Sequence, residues 1–212
     1  MKIALINENS QAAKNELICS TLKSVVEPMG HEVLNFGMYT AEDDTQLTYV
    51  MNGLLAAILL NSKAVDFVVT GCGTGQGAML ALNSFPGVLC GHVTDPTDAY
   101  LFAQVNNGNA VAMPFAQNFG WGAELNLQYT FEKLFSGEFG LGYPRERAVP
   151  EQRNKKILDQ VKTITHQDIM TVLKNIDQDF LKTAVSGKQF ADLFFPNCQV
   201  PEIADYIKNV LD

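Results

Sequence analysis

Basic residues and cysteine pairs are both scarce in this chain, and each shortage removes a class of function. Lys and Arg number 15 against 23 Asp and Glu, a net charge of −8. A nucleic acid or an anionic membrane surface needs a basic face, so neither is an expected partner. The four cysteines, Cys19, Cys72, Cys90 and Cys198, stand far apart, with no C-x-x-C pair and no histidine at metal-ligand spacing. A disulfide framework and a structural zinc site are therefore not expected, and Cys19, Cys90 and Cys198 read as small buried hydrophobes. Missing too are any apolar run of membrane-spanning length, any internal repeat and any low-complexity tract. The N-terminus enters strand-like residues without a signal-peptide pattern, so the expected location is the cytoplasm. At 212 residues the chain can bury one sizeable core but not two ordinary enzyme domains.

What is present centres on residues 65–77, V-D-F-V-V-T-G-C-G-T-G-Q-G. Val65, Phe67, Val68 and Val69 read as a buried parallel strand. Gly71, Gly73, Gly75 and Gly77 then break it before an apolar helical segment. Such a turn leaves N–H groups unpaired at the positive end of a helix, and glycines let a ligand oxygen approach them. It carries a thiol, Cys72, and a hydroxyl, Thr74. A helix N-terminus favours negative charge, so Cys72 is placed to act as a nucleophile or a proton-abstracting base. The spacing is not that of a phosphate loop, since G-x-x-x-x-G-K-[ST] is missing, and the alternating glycines fit the dinucleotide fingerprint poorly. Tight strand-to-helix packing is the plain alternative.

Around this stretch, strands are expected at residues 2–6, 31–36, 65–69, 88–93 and 110–113. Helices are expected at about 10–29, 49–60, 74–83, 96–105 and 121–135. The alternation predicts an α/β fold, a five-stranded parallel sheet with helices on both faces. Ligands of such sheets lie beyond the carboxyl ends of the strands. That rule is taken to nominate Asn7, Glu8 and Asn9 after the first strand, Cys72 and Thr74 after the third, His92, Thr94 and Asp95 after the fourth, and Asn106, Asn107 and Asn109 before the fifth. From Ser136 a glycine- and proline-rich connector carries Arg145 and Arg147. The rest reads as helices, with residues 165–168 capping one that ends near Asn175 and Pro201 opening the last. Phe190, Leu193, Phe194 and Phe195 should pack on the main domain or on a second subunit.

With the opening M-K-I-A, G-H-E-V-L-N-F-G at residues 30–37, G-C-G-T-G-Q-G at 71–77 and the Asn106–Asn109 stretch in hand, residues 1–148 resemble the type B ribose-5-phosphate and galactose-6-phosphate isomerase family. The resemblance implies a Rossmann-like three-layer sandwich, with residues 149–212 as a helical extension. It further implies a homodimer with the site near the subunit interface, and aldose–ketose isomerisation without metal or nucleotide. By the same resemblance, Cys72 moves the proton, and Thr74 with Gly73, Gly75 and Gly77 holds the enediolate.

Departures from the family pattern narrow the substrate. The family's Asp-His after the first strand reads Glu8-Asn9, its ring-opening His reads Val105 ahead of a retained Asn106, and its two phosphate-binding arginines read Tyr143 and Arg147. One carboxylate needs fewer cations than a phosphate dianion, so a sugar acid is the expected substrate, with Arg147 on its carboxylate. The helices after Pro150 resemble those of a bacterial branch that isomerises 4-deoxy-L-threo-5-hexosulose-uronate. Asn7, Asn9 and Asn106 are expected to bind hydroxyls, and Glu8 to orient one or to shuttle a proton. His92 reads as a structural histidine. The rival readings are a ribose- or galactose-phosphate isomerase, a non-catalytic sugar-binding protein and a cysteine hydrolase, the last lacking an evident His-Asp pair.

Overall fold

The computed structural model describes residues 1–212. Five parallel strands lie in the order β2-β1-β3-β5-β4: β1 Lys2–Ile6, β2 Glu32–Asn35, β3 Phe67–Cys72, β4 Cys90–His92 and β5 Ala110–Pro114. The order reverses between β1 and β3, because the chain leaves β1 for the β2 edge and returns across it to β3. That reversal opens a crevice at the carboxyl ends of β1 and β3. A short 3-10 turn, Asn9–Lys14, bridges the crevice and runs into α1 Asn15–Val26, where one continuous helix was expected. Glu8 caps the start of the turn, accepting from the Ser10 backbone N–H at 3.0 Å.

Strand β3 is longer than its β-branched run suggests. It continues through Thr70, Gly71 and Cys72, which pair with Ala112, Met113 and Pro114 of β5, so Cys72 ends the strand and does not sit in the turn. Gly71 permits this, because a β-carbon there would lie 2.3 Å from the Met113 carbonyl oxygen. One fully buried side chain locks the β1 and β3 ends together. Asn52 donates to the Ile6 carbonyl at 2.9 Å and to Thr70 Oγ1 at 3.0 Å, and Thr70 Oγ1 itself donates to Ile6 O at 2.6 Å.

Asn52 belongs to α2, Tyr49–Asn61, which buries nearly its whole circumference. A helix apolar all round must be covered on both sides. The sheet covers one side of α2, and the later helices cover the other: α7 Ile169–Asn175, α8 Gln178–Val185, α9 Lys188–Asn197 and α10 Pro201–Leu211. Leu173, Leu181, Phe190, Phe194, Ile203 and Ile207 share one core cluster with α2 and the strands. Phe190 meets Phe36 at 6.0 Å between ring centroids, so this aromatic group packs on the sheet domain of its own chain. Asp168 caps α7 by accepting from the Thr171 N–H at 3.0 Å.

The opposite face of the sheet is covered by α1 and by α5 Ala123–Phe135 in a second cluster. Helices α3 Gln76–Asn83 and α4 Pro96–Leu101, the latter running on as a π turn Phe102–Asn106, complete the sandwich. Helix α6, Ala148–Thr165, is different: none of its residues is buried, and Val149, Ile157, Leu158, Val161 and Ile164 are exposed. Among the described residues, no helix is long and apolar enough to cross a membrane.

Candidate active site

The chemistry-bearing turn lies at the crevice between β1 and β3. Gly75 adopts φ +77° as the N-cap of α3, a conformation glycine takes without strain. None of the N–H groups of Gly73, Thr74, Gly75, Gly77 and Ala78 donates to a protein acceptor among the described residues. Five unpaired donors thus cluster at the helix start just after Cys72, an arrangement suited to a developing oxyanion. The turn is braced from two sides. On one, Ala116 N and Gln117 N both donate to Gly73 O, at 3.0 and 2.9 Å. On the other, His92 Nε2 lies 2.8 Å from Thr74 O, and a β-carbon on Gly75 would meet the same imidazole at 2.8 Å. His92 is therefore a structural histidine, as expected, and what it holds from the end of β4 is the turn that follows Cys72.

Cys72 is 9% exposed at the strand end. Cys90 is equally hidden but lies on β4, where burial pushes its thiol far up and leaves it inert. Cys19 and Cys198 are half-buried at the surface and not interior as expected; burial raises the Cys19 thiol too.

Three expected ligands take other positions. Asn7 is fully buried and donates to Asn15 Oδ1 at 3.0 Å, so it ties β1 to α1 and does not line the opening. Asn106 is exposed, but it precedes β5 and so lies at the amino pole of the sheet, away from Cys72; Asn107 and Asn109 share that pole. There Asn109 bridges Leu89 N and Gly87 O at 2.8 and 2.7 Å, a structural bracket. Arg147 is exposed beside α6, in the segment whose Gly142 N–H bonds to Gln104 O, and is not brought to the turn of its own chain. Asn9 is exposed, with its N–H on Leu47 O at 2.8 Å.

Glu8 is 3% exposed, and both of its carboxylate oxygens are engaged by Ser10: Oε1 accepts from Oγ at 2.5 Å and Oε2 from the backbone N–H. Its link to the opening thus runs through the exposed Ser10 hydroxyl. The network continues outward, since Gln11 Nε2 donates to Ser10 Oγ at 3.0 Å and Lys14 Nζ donates to Gln11 Oε1 at 2.8 Å. Gln11 and Lys14 were not among the expected site residues. Among the described residues, no three of His, Cys, Asp and Glu come close enough to hold a metal.

A thiol at the end of a central strand, next in sequence to a turn of unpaired amides at a sheet reversal, suits proton transfer beside a carbonyl. Residues 3–137 match the family described as Ribose/Galactose Isomerase, and residues 164–210 a family described as Ribose-5-phosphate isomerase. The protein belongs to the ribose/galactose isomerase family and is a sugar isomerase. Among solved structures it is similar to a 4-deoxy-L-threo-5-hexosulose-uronate ketol-isomerase complexed with a tartrate, at 66% identity and TM-score 0.98 over 100% of both chains. A ribose-5-phosphate isomerase from Vibrio parahaemolyticus is 55% identical, with TM-score 0.97 over 100% of this chain and 99% of that one. The type B ribose 5-phosphate isomerase of Trypanosoma cruzi, at 21% identity and TM-score 0.63, shares the fold over 77% of this chain and 99% of its own.

Proposed function

We propose that this protein converts 4-deoxy-L-threo-5-hexosulose-uronate to 3-deoxy-D-glycero-2,5-hexodiulosonate, a step in the breakdown of unsaturated uronates released from glycosaminoglycans. The full-length likeness at 66% identity to a uronate ketol-isomerase supports this reading. The thinned positive charge agrees with it, and tartrate, the molecule complexed with that relative, is itself a hydroxy acid. A second reading, isomerisation of ribose 5-phosphate, is favoured by the Vibrio relative.

The chemistry is a proton transfer between neighbouring carbons. Cys72 takes the proton from C2 beside the C1 aldehyde, and the electron pair moves to oxygen as an enediolate. The amides of residues 73–78 and Thr74 stabilise that charge. A proton moves between the two oxygens, with Glu8 acting through Ser10, and C1 is reprotonated to give the ketose. One chain supplies only part of this site. The exposed apolar residues of α6 suit a second copy, and a homodimer would bring Asn106 and Arg147 of one protomer to the turn of the other.

The test is an assay of the purified protein on the uronate and on ribose 5-phosphate, with Cys72→Ala in parallel. The expected result is turnover of the uronate, lost in Cys72→Ala while ligand binding survives. A preference for ribose 5-phosphate rejects the substrate. Undiminished turnover by Cys72→Ala rejects the thiol's role.

A further inference from the structure

We infer that Lys14 is the specificity-determining cation of this site and binds the substrate's terminal carboxylate from the same chain that supplies Cys72. The inference rests on the sugar-acid reading above and names the residue that would enforce it.

Lys14 sits where the 3-10 turn meets α1, half-buried at the carboxyl pole of the sheet. Its ammonium donates to Gln11 Oε1 at 2.8 Å and to the Phe115 carbonyl, and lies 4.6 Å from the centroid of the Phe119 ring. All three partners are neutral. Among the described residues the one salt bridge is Lys155–Asp159, so no carboxylate compensates Lys14. An ammonium has three N–H donors and two are used here, which leaves one for a ligand. Burial without a counter-ion pulls the Lys14 pKa down, the direction expected of a cation that gains when an anion arrives.

Its position relative to the end of β3 is set by a single residue. Phe115 donates its N–H to Cys72 O at 2.9 Å and offers its C=O to Lys14. One extended residue spans about 3.5 Å, so the ammonium and the strand end are separated by roughly that length plus the two hydrogen bonds. In an open-chain hexuronate four bonds, roughly 5 Å, separate C2 from the carboxyl carbon, and a hydrogen bond from ammonium to carboxylate adds about 3 Å to that reach. The Gln11 amide lies between: a methyl group on Gly73 would be 4.0 Å from Gln11 Nε2. The crevice therefore offers two positive features, turn amides for the enediolate and an ammonium for the far carboxylate. The chain of donors from Lys14 through Gln11 and Ser10 to Glu8 fixes their spacing.

The experiment compares kcat/KM for the uronate and for its C6 carboxamide in wild type, Lys14→Met, Lys14→Arg and Arg147→Met, with thermal melting of each. Wild type is expected to prefer the carboxylate. In Lys14→Met that preference should fall by about 10- to 100-fold through loss on the carboxylate alone, while Lys14→Arg retains most of it. Equal losses on both substrates show that Lys14 merely supports the fold and overturn the inference. So does a preference that survives Lys14→Met, or one that depends on Arg147 instead. A wild type that ignores the uronate but turns over ribose 5-phosphate removes the substrate reading and the carboxylate role with it. A wild type active on the uronate whose Lys14→Met variant stays selective removes Lys14 alone.

Discussion

His92 touches nothing that reacts, yet its imidazole holds the Thr74 carbonyl at 2.8 Å and packs on Gly75. His92→Ala should lower kcat by about 10- to 100-fold with little change in melting temperature, because the oxyanion donors lose their fixed direction while the core is untouched. Steady-state kinetics beside a melting curve checks this; an unchanged kcat would show that the turn holds its shape unaided. Asn52 is the opposite case, a residue of pure architecture. Asn52→Ala removes the bond between the β1 and β3 ends and should cost about 1–3 kcal/mol in urea unfolding. At this scale the sequence pointed to Cys72, Thr74 and the glycines, since a thiol and a hydroxyl among alternating glycines have a local explanation, and it read His92 as structural without showing what it holds. It gave no sign of Gln11 or Lys14, which come beside the turn only when the ends of β1, β3 and β5 are brought together. Asn106 was misplaced for a topological reason: a residue that precedes a parallel strand lies at the pole opposite to one that follows it.

Strands and helices were legible wherever their hydrophobic period was uninterrupted, as in β1, α2 and α10. The end of β3 was not, because Gly71 and Cys72 have little strand propensity and are held extended by pairing with Met113 and Pro114. Nor was the 3-10 turn that precedes α1, whose start is capped by a single buried carboxylate. Helix α6 shows the reverse relation, a regular helix whose apolar residues find no cover in their own chain. Ile164 is 83% exposed and Ile157 50%, two turns apart. In the proposed homodimer these residues lie at the interface, so Ile157→Glu with Ile164→Glu should give a folded monomer in sedimentation experiments where the wild type gives a dimer. Activity should fall with it if the partner completes the site. A double variant that still sediments as a dimer would place the interface elsewhere.

For the molecule as a whole, the C-terminal helices are the outer wall of α2. A chain ending at Thr165 should lose the cover over Leu54, Leu55 and their neighbours, bind a hydrophobic dye and aggregate. A truncated protein that stays monodisperse and melts as the full chain does would show that α2 needs no cover. The same geometry sets a schedule for synthesis. Helix α2 leaves the ribosome about 110 residues ahead of its wall, an interval of roughly 5–20 s at ordinary elongation rates. During that interval the side of α2 that faces away from the sheet is uncovered. That side cannot be sealed until α7 to α10 have been made, so folding yield in a cell should depend on whatever shields the nascent polypeptide while it waits.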